Sequence, residues 1–227
     1  MYERFLLLGS TLKLKKYVKN LMDRVKTTFD NWAKNGRSEL MEKEHSSNVV
    51  KFLNSQKFED VFSFLDVGCG NGWVVRKIAN LKNCKIAIGI DKSKNMITKA
   101  KSKKISSKEN YYNTDILNWN YKGKFDYIFS MEALYYSLPM EDALKKIFKL
   151  LKKGGIFFCG TDYYSDNKST KHWSKTMNIP LDLRSKLQWK KMFEELGFKT
   201  KTKQVKDPSN RKKWKREFGT LFVIGQK

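Results

Sequence analysis

The chain has 227 residues, enough for one domain with a sizeable core. Its 40 % hydrophobic and 14 % aromatic content excludes a disordered chain, and the lack of any run of about 18 apolar residues excludes a membrane-spanning helix. Forty-seven basic residues against 23 acidic ones leave a net charge of +24. That charge has two readings: a polyanionic partner such as RNA or an anionic membrane surface, or a lysine-rich solvated surface. The bases run along the whole chain instead of forming one block, which favours the second. Cys69, Cys84 and Cys159 fall in or beside predicted strands and lack metal-ligand spacing. They read as reduced core thiols of a cytoplasmic protein, with no metal expected.

At the N-terminus, Phe5 to Leu8 form an apolar patch too short for a signal peptide, with no small-residue cleavage pattern. Residues 12–30 predict a basic amphipathic helix, suited either to a membrane or nucleic acid or to packing on the domain. Gly36 stops it. Ser38 then predicts the cap of a helix over about 39–54, although Met41 stands where a capping box needs Glu or Gln. His45, one of two histidines, lies in this helix and is a candidate general base or a structural residue. Residues 1–57 thus read as a helical cap segment ahead of a domain over 58–227.

The stretch that organises the chain follows. Val61 to Val67 predict a buried strand, and it runs into Gly68-x-Gly70-x-Gly72 and then an apolar helix. Strand, glycine turn and helix bring backbone N–H groups close to a ligand, because a Cβ would block both turn and approach. The spacing is not the dinucleotide fingerprint G-x-G-x-x-G. A second strand, Cys84 to Asp91, ends in an acid, and Ser93 predicts the cap of the next helix. A third strand over 110–114 leads to Asp115, and a fourth covers Lys124 to Ser130. A helix over 140–153 is stopped by Gly154-Gly155, and a fifth strand over 156–161 follows. Residues 162–185 are irregular. The last helix, Arg184 to Leu196, turns Leu187, Trp189, Met192, Phe193 and Leu196 inward. Two strands over 198–205 and 218–225 close the chain, and their direct connection makes them antiparallel.

Asp66 before the glycines, Asp91 and Asp115 after the next two strands, and Leu151-Lys152-Lys153-Gly154-Gly155 before the fifth form a pattern. It resembles class I S-adenosylmethionine (SAM) methyltransferases of the type 11/25 group. The resemblance implies an α/β fold, a seven-stranded and mostly parallel sheet with an antiparallel last strand set between strands five and six, and helices on both faces. It implies SAM as cofactor, with Asp91 on the ribose hydroxyls, Asp115 on the adenine amino group and Ile116 packed on the ring. Cys69, Asn71 and Lys92 join Asp66 and the glycines Gly68, Gly70 and Gly72 in that cofactor set. Ser130 and Met131 extend it beyond the fourth strand. Trp32 and Arg37 are candidates to close over the cofactor, Arg37 as a fork for the methionine carboxylate. Asp126 is expected to be structural.

For the acceptor the resemblance implies less. Tyr136 holds the place of a histidine found in many small-molecule members. Tyr135 and Tyr136 are catalytic candidates only if a strongly lowered pKa lets them take a proton; otherwise they orient substrate or pack under the loop. Residues 162–185 are the expected substrate insert, with Tyr163, Tyr164, His172 and Trp173 as candidates. The basic cluster Arg211 to Arg216, with Trp214, reads either as a phosphate-binding and base-stacking tip or as a solvated hairpin tip. No N-P-P-Y-type motif follows strand four. The expected reaction is methyl transfer to a small-molecule or lipid-like acceptor. A tRNA or rRNA methyltransferase is the alternative, and a non-catalytic SAM-binding or NAD-binding module is the third reading.

Overall fold

The computed structural model describes residues 11–227, with side chains from residue 18. The apolar patch at 5–8 lies outside the described residues. Two helices lead, α1 (Thr11–Lys34) and α2 (Arg37–Asn54). The chain reverses between them at Gly36, whose φ of +79° suits only a residue without a Cβ. Gly36, not Ser38, precedes the first turn of α2. Ser38 is buried within that turn, and its hydroxyl donates to the Glu39 carboxylate at 2.7 Å instead of capping the helix.

The sheet strands are β1 (Phe62–Val67), β2 (Cys84–Asp91), β3 (Glu109–Asn113), β4 (Phe125–Met131), β5 (Leu151–Thr161), β6 (Lys199–Val205) and β7 (Thr220–Gln226). Their order is β3-β2-β1-β4-β5-β7-β6. The first five run parallel, while β7 pairs antiparallel with both β5 and β6. The strand order reverses between β1 and β4, so a crevice opens there beyond the carboxyl ends of the strands.

Successive strand residues serve opposite faces, and both faces are buried. Leu65, Ile128, Phe157 and Val223 belong to a core with α5 (Met140–Leu150), α6 (Trp173–Met177), α7 (Lys186–Glu195) and the α1 side chains Leu21 and Val25. Their neighbours Phe64, Phe129, Phe158 and Phe222 meet α2, α3 (Trp73–Ala79) and α4 (Lys94–Ser102). Phe52 of α2 lies flat on Phe222, with ring centroids 3.7 Å apart and planes within 1°. Asp30 of α1 accepts from the Ser93 hydroxyl at 2.5 Å and the Asn95 N–H at 3.2 Å, which pins α1 to the start of α4.

Four local expectations are corrected. The α5 helix stops at Leu150, so Lys152 and Lys153 lie on β5, and Lys152 pairs with Asp126 at 2.8 Å. Gly154 and Gly155 therefore sit in the strand, where the β4–β5 register shifts, and do not stop the helix. A Cβ on Gly155 would stand 3.0 Å from the carbonyls of Asp126 and Lys152. Leu187 is 60 % exposed, because α7 begins only at Lys186. Its start is a capping box: the Ser185 hydroxyl accepts from Gln188 N–H, and the Gln188 side chain accepts from Ser185 N–H. Finally, residues 211–216 are no plain hairpin tip, since α8 (Lys213–Glu217) folds there and buries Lys215 to 2 % exposure.

Truncating Phe52 removes a fully buried ring stacked on the sheet. Phe52→Ala is expected to cost about 3–5 kcal/mol in urea unfolding of the whole chain, in one transition. A helix that merely rested on the sheet would leave that transition unmoved.

Candidate active site

The crevice begins at the glycine turn after β1. Gly68, Gly70 and Gly72 have φ of +75°, +53° and +79°. The N–H groups of Gly68 and Cys69 both donate to the Ile90 carbonyl, at 2.9 and 3.0 Å, which bends the turn over the end of β2. A Cβ on Gly68 would lie 2.2 Å from that of Ala133, in the loop after β4. A Cβ on Gly70 would meet nothing within 4 Å, so its side of the turn is open. Gly72 lies behind the turn, against the Tyr111 ring.

Asp91 ends β2 and braces this cradle. One carboxylate oxygen accepts from Gly70 N–H at 2.9 Å and the other from Ser93 N–H at 2.8 Å. Burial pushes its pKa up to about 6, against the opposing pull of those two N–H groups. Asp66, 2 % exposed, is pushed well above the usual carboxylate range by burial and by the Asp91 charge. Asp115 lies two residues past the end of β3, in the following turn. It accepts from Leu117 N–H at 2.7 Å and pairs with Lys92 at 2.9 Å. Ile116 beside it is buried.

These groups open into one cavity of about 580 Å³, within the usual range for small-molecule sites. Of the predicted cofactor residues, Asp66, Gly68, Cys69, Gly70 and Asn71 line it, as do Asp91, Lys92, Asp115, Ile116 and Met131. Gly72 and Ser130 do not. The Ser130 hydroxyl is fully buried and donates to the Val67 carbonyl at 2.9 Å, so it ties β4 to β1. Trp32 and Arg37 stand at the cavity wall, with the guanidinium 4.5 Å above the indole. Phe29 bridges edge-on between Trp32 and Tyr136.

Of the predicted acceptor residues, His45, Tyr135, Tyr136, His172 and Trp173 line the cavity. Tyr163 and Tyr164 do not. Tyr164 is fully buried and donates to the Phe218 carbonyl at 2.9 Å, and Tyr163 packs in the core beside Tyr135 and Trp173. The two tyrosines continue inward from β5, so they cannot reach a ligand. Burial and the Glu132 charge push the phenols of Tyr135 and Tyr136 upward. Neither is a tyrosinate base. The Tyr135 hydroxyl donates to Glu132 at 2.8 Å.

Several cavity residues escaped sequence reasoning, Glu132 and the α1 side chains Met22, Val25 and Phe29, while Lys212 and Trp214 were expected at a surface tip and not in this cavity. Trp214 meets Trp173 edge-on, with centroids 6.1 Å apart, so Trp214 and Lys212 of the basic cluster form wall. Lys212 pairs with Glu44 at 2.5 Å, and Lys215 donates to the Glu44 carbonyl. Behind the wall lies a further missed residue, Asp162, fully buried just past β5. It accepts from the Thr220 hydroxyl at 2.6 Å, and its other oxygen is 3.3 Å from His45 Nδ1 and 4.0 Å from Lys215 Nζ. Its backbone N–H donates to Glu132. Burial works against the Asp162 charge, but His45, Lys215 and Thr220 outweigh it and hold the carboxyl below its ordinary value. Burial and the Asp162 charge push Glu132 up to about 7. A position just beyond a strand's carboxyl end is the signal that could have found both acids. No group of three or more His, Cys, Asp or Glu that could hold a metal ion occurs among the described residues.

Known proteins match this arrangement. The methyltransferase-domain family matches residues 23–203, and the chain belongs to that family. Its class is that of the SAM-dependent methyltransferases. Among curated relatives, sterol 24-C-methyltransferase ERG6 of Saccharomyces cerevisiae is 33 % identical over 112 residues, covering 45 % of this chain and 29 % of that protein. Carboxy-S-adenosyl-L-methionine synthase of Campylobacter fetus is 28 % identical over 127 residues, 54 % of each chain. This chain thus spans less than a third of the sterol enzyme's length and about half of the synthase's. Among solved structures, a chain of the complex between the Haloferax volcanii Trm112 methyltransferase activator and a methyltransferase superposes with a TM-score of 0.82 at 24 % identity. That match covers 87 % of this chain and 96 % of that one.

The buried carboxylates set a pH dependence. Asp91 and Glu132 titrate near 6 and 7 in the folded chain, above their unfolded values of about 4. Between those limits the folded state holds more protons than the unfolded one, so stability falls as pH rises. The lowered groups Asp30, Glu39 and Asp126 lose their contribution only below about pH 4. By calorimetry the ligand-free chain is therefore expected to melt higher at pH 5 than at pH 7.5, and Asp91→Asn to narrow the difference. A flat or inverted profile would count against this burial of Asp91 and Glu132.

Proposed function

We propose that the protein transfers the methyl group of SAM to a small, largely apolar acceptor. The observation that carries this reading is a single cavity. It joins the glycine cradle and its acids at one end to a chamber of Phe29, Tyr136, Trp173, Met177 and Trp214 at the other. The residues fit the cofactor: Gly70 leaves its side of the turn open, and the brace at Asp91 still has acceptor capacity for ribose hydroxyls. Asp115 and Ile116 suit the adenine, and Arg37 suits the methionine carboxylate. When bound, SAM would supply an activated methyl that a nucleophile attacks in line, with the thioether as leaving group. The chain's own work is to position the acceptor between aromatic walls and to exclude water with α1.

The sterol 24-C-methyltransferases among the relatives support a lipid-like acceptor. The RNA reading rests on the net charge of +24. It loses its best element, since Trp214 is spent in the cavity wall and Lys215 is buried behind it. No described helix is long and apolar enough to cross a membrane, and three buried free thiols support a reducing compartment such as the cytoplasm.

Thermal shift tests the cofactor. At about a hundredfold excess over Kd, SAM and S-adenosylhomocysteine are expected to raise Tm by roughly 5–10 °C, with no rise for NAD and none in Asp91→Ala. Release of S-adenosylhomocysteine then reports the acceptor across small aromatic compounds, sterol- and fatty-acid-like lipids and bulk tRNA. Turnover of the small molecules is expected. Turnover of tRNA alone, falling steeply with salt, would overturn the acceptor class.

A further inference from the structure

We propose that His45 is the base that takes the acceptor's proton, that Asp162 positions it, and that the acceptor is a protic nucleophile bearing O–H or N–H. This inference rests on the methyltransferase reading. It begins with two buried polar atoms. His45 Nδ1 and Asp162 Oδ2 have no hydrogen-bond partner among the described residues, and they stand 3.3 Å apart. Leaving either group unpaired is costly, and each is the other's available partner. A small tilt of the imidazole aligns them. Catalytic hydrogen bonds are often misaligned until substrate arrives.

Asp162 cannot turn away. Thr220 holds its other oxygen at 2.6 Å, and Asn48 in turn donates to Thr220 at 3.0 Å. With the Nδ1 proton directed to Asp162, Nε2 keeps its lone pair on the ring edge left to the cavity. The competing bases are occupied. Glu132 has one oxygen on the Asp162 N–H and the other on the Tyr135 hydroxyl. Tyr135 and Tyr136 are phenols held in the protonated form. His172 is exposed and pairs with no carboxylate among the described residues. The charged groups around His45 are Asp162, Glu132 and Lys215 from facing elements, Lys212, and Glu42 and Glu44 on its own helix.

In the step, the acceptor's heteroatom forms a bond to the methyl carbon with its lone pair. The methyl–sulfur bond breaks, and its electron pair stays on sulfur as a neutral thioether. The heteroatom's proton passes to His45 Nε2, where Asp162 stabilises the imidazolium until the proton leaves to water. A thioether or pyridine acceptor would release no proton and would need no such pair.

The test reads the tautomer directly, in the full chain labelled with ¹⁵N-histidine, with and without S-adenosylhomocysteine. His172→Gln assigns the two signals. At pH 8 His45 is expected to carry its proton on Nδ1 and none on Nε2, and Asp162→Asn to abolish that preference. A proton on Nε2 in the wild-type chain overturns the proposal, whether or not the variant folds, as does a preference unmoved in a folded Asp162→Asn. With any acceptor found in the release assay, His45→Gln is expected to lower kcat by about 10²-fold or more with S-adenosylhomocysteine affinity unchanged. An undiminished kcat, or turnover of proton-free acceptors only, overturns it. A failed thermal shift would remove the cofactor reading and leave the tautomer result standing, so the two fail separately.

Discussion

The site depends on one close passage. Gly68, at the end of β1, runs so near Ala133 that a single methyl group would collide with the loop after β4. That contact exists because β1 and β4 are neighbours where the strand order reverses, and their two loops must share one crevice. It brings the glycine cradle within one cavity of Glu132, Tyr135 and Tyr136. A side chain at Gly68 would push the two halves apart.

Around this crevice the protein concentrates negative charge in an otherwise strongly basic chain. Asp66, Asp91, Glu132 and Asp162 all sit at the carboxyl ends of strands and are deeply enclosed. Three of them have hydrogen-bond partners, Glu132 through the Asp162 N–H and the Tyr135 hydroxyl. Asp91 is satisfied by backbone N–H groups, and Asp162 by a hydroxyl with two cationic or potentially cationic neighbours. Burial holds the protons of Asp66, Asp91 and Glu132 upward, and only Asp162 is kept below its ordinary value. The +24 surface charge and the acidic interior are separate facts. From the basic cluster near the C-terminus, Lys212 reaches the cavity and pairs with Glu44, and Lys215 behind it lies against the Glu44 carbonyl and Asp162.

The leading helices are part of the same construction. The inner half of α2 is packed into the sheet through Phe52, while its outer half presents His45 and Glu42 to the cavity. The α1 helix is tied down by Asp30 on the start of α4, and its Phe29 and Trp32 roof the chamber. The chamber is therefore assembled from elements distant in the chain, with α1 and α2 at one end and α8 at the other.

Local pattern alone was enough for the alternation of apolar residues, the glycine turn, the acids after the second and third strands and the antiparallel closing pair. Each is written within about ten neighbouring residues and governed by backbone sterics or strand periodicity. Element ends were less legible. Gly154-Gly155 serves a shifted register that depends on β4, and Leu187 is exposed because the Ser185–Gln188 capping box starts the helix later than the apolar pattern alone suggested. His45 was legible only as a candidate base, and its partners were not legible at all. His45, Asp162, Lys215 and Thr220 are far apart in sequence, and no spacing marks them as a group. The residues themselves thus determined the strands, the glycine turn and the acids that follow them, while the strand order was implied only by the family resemblance. Only the tertiary structure decided which tyrosines face the cavity, why Trp214 is wall and not surface, and which acid stands behind the histidine, because these depend on where distant elements meet.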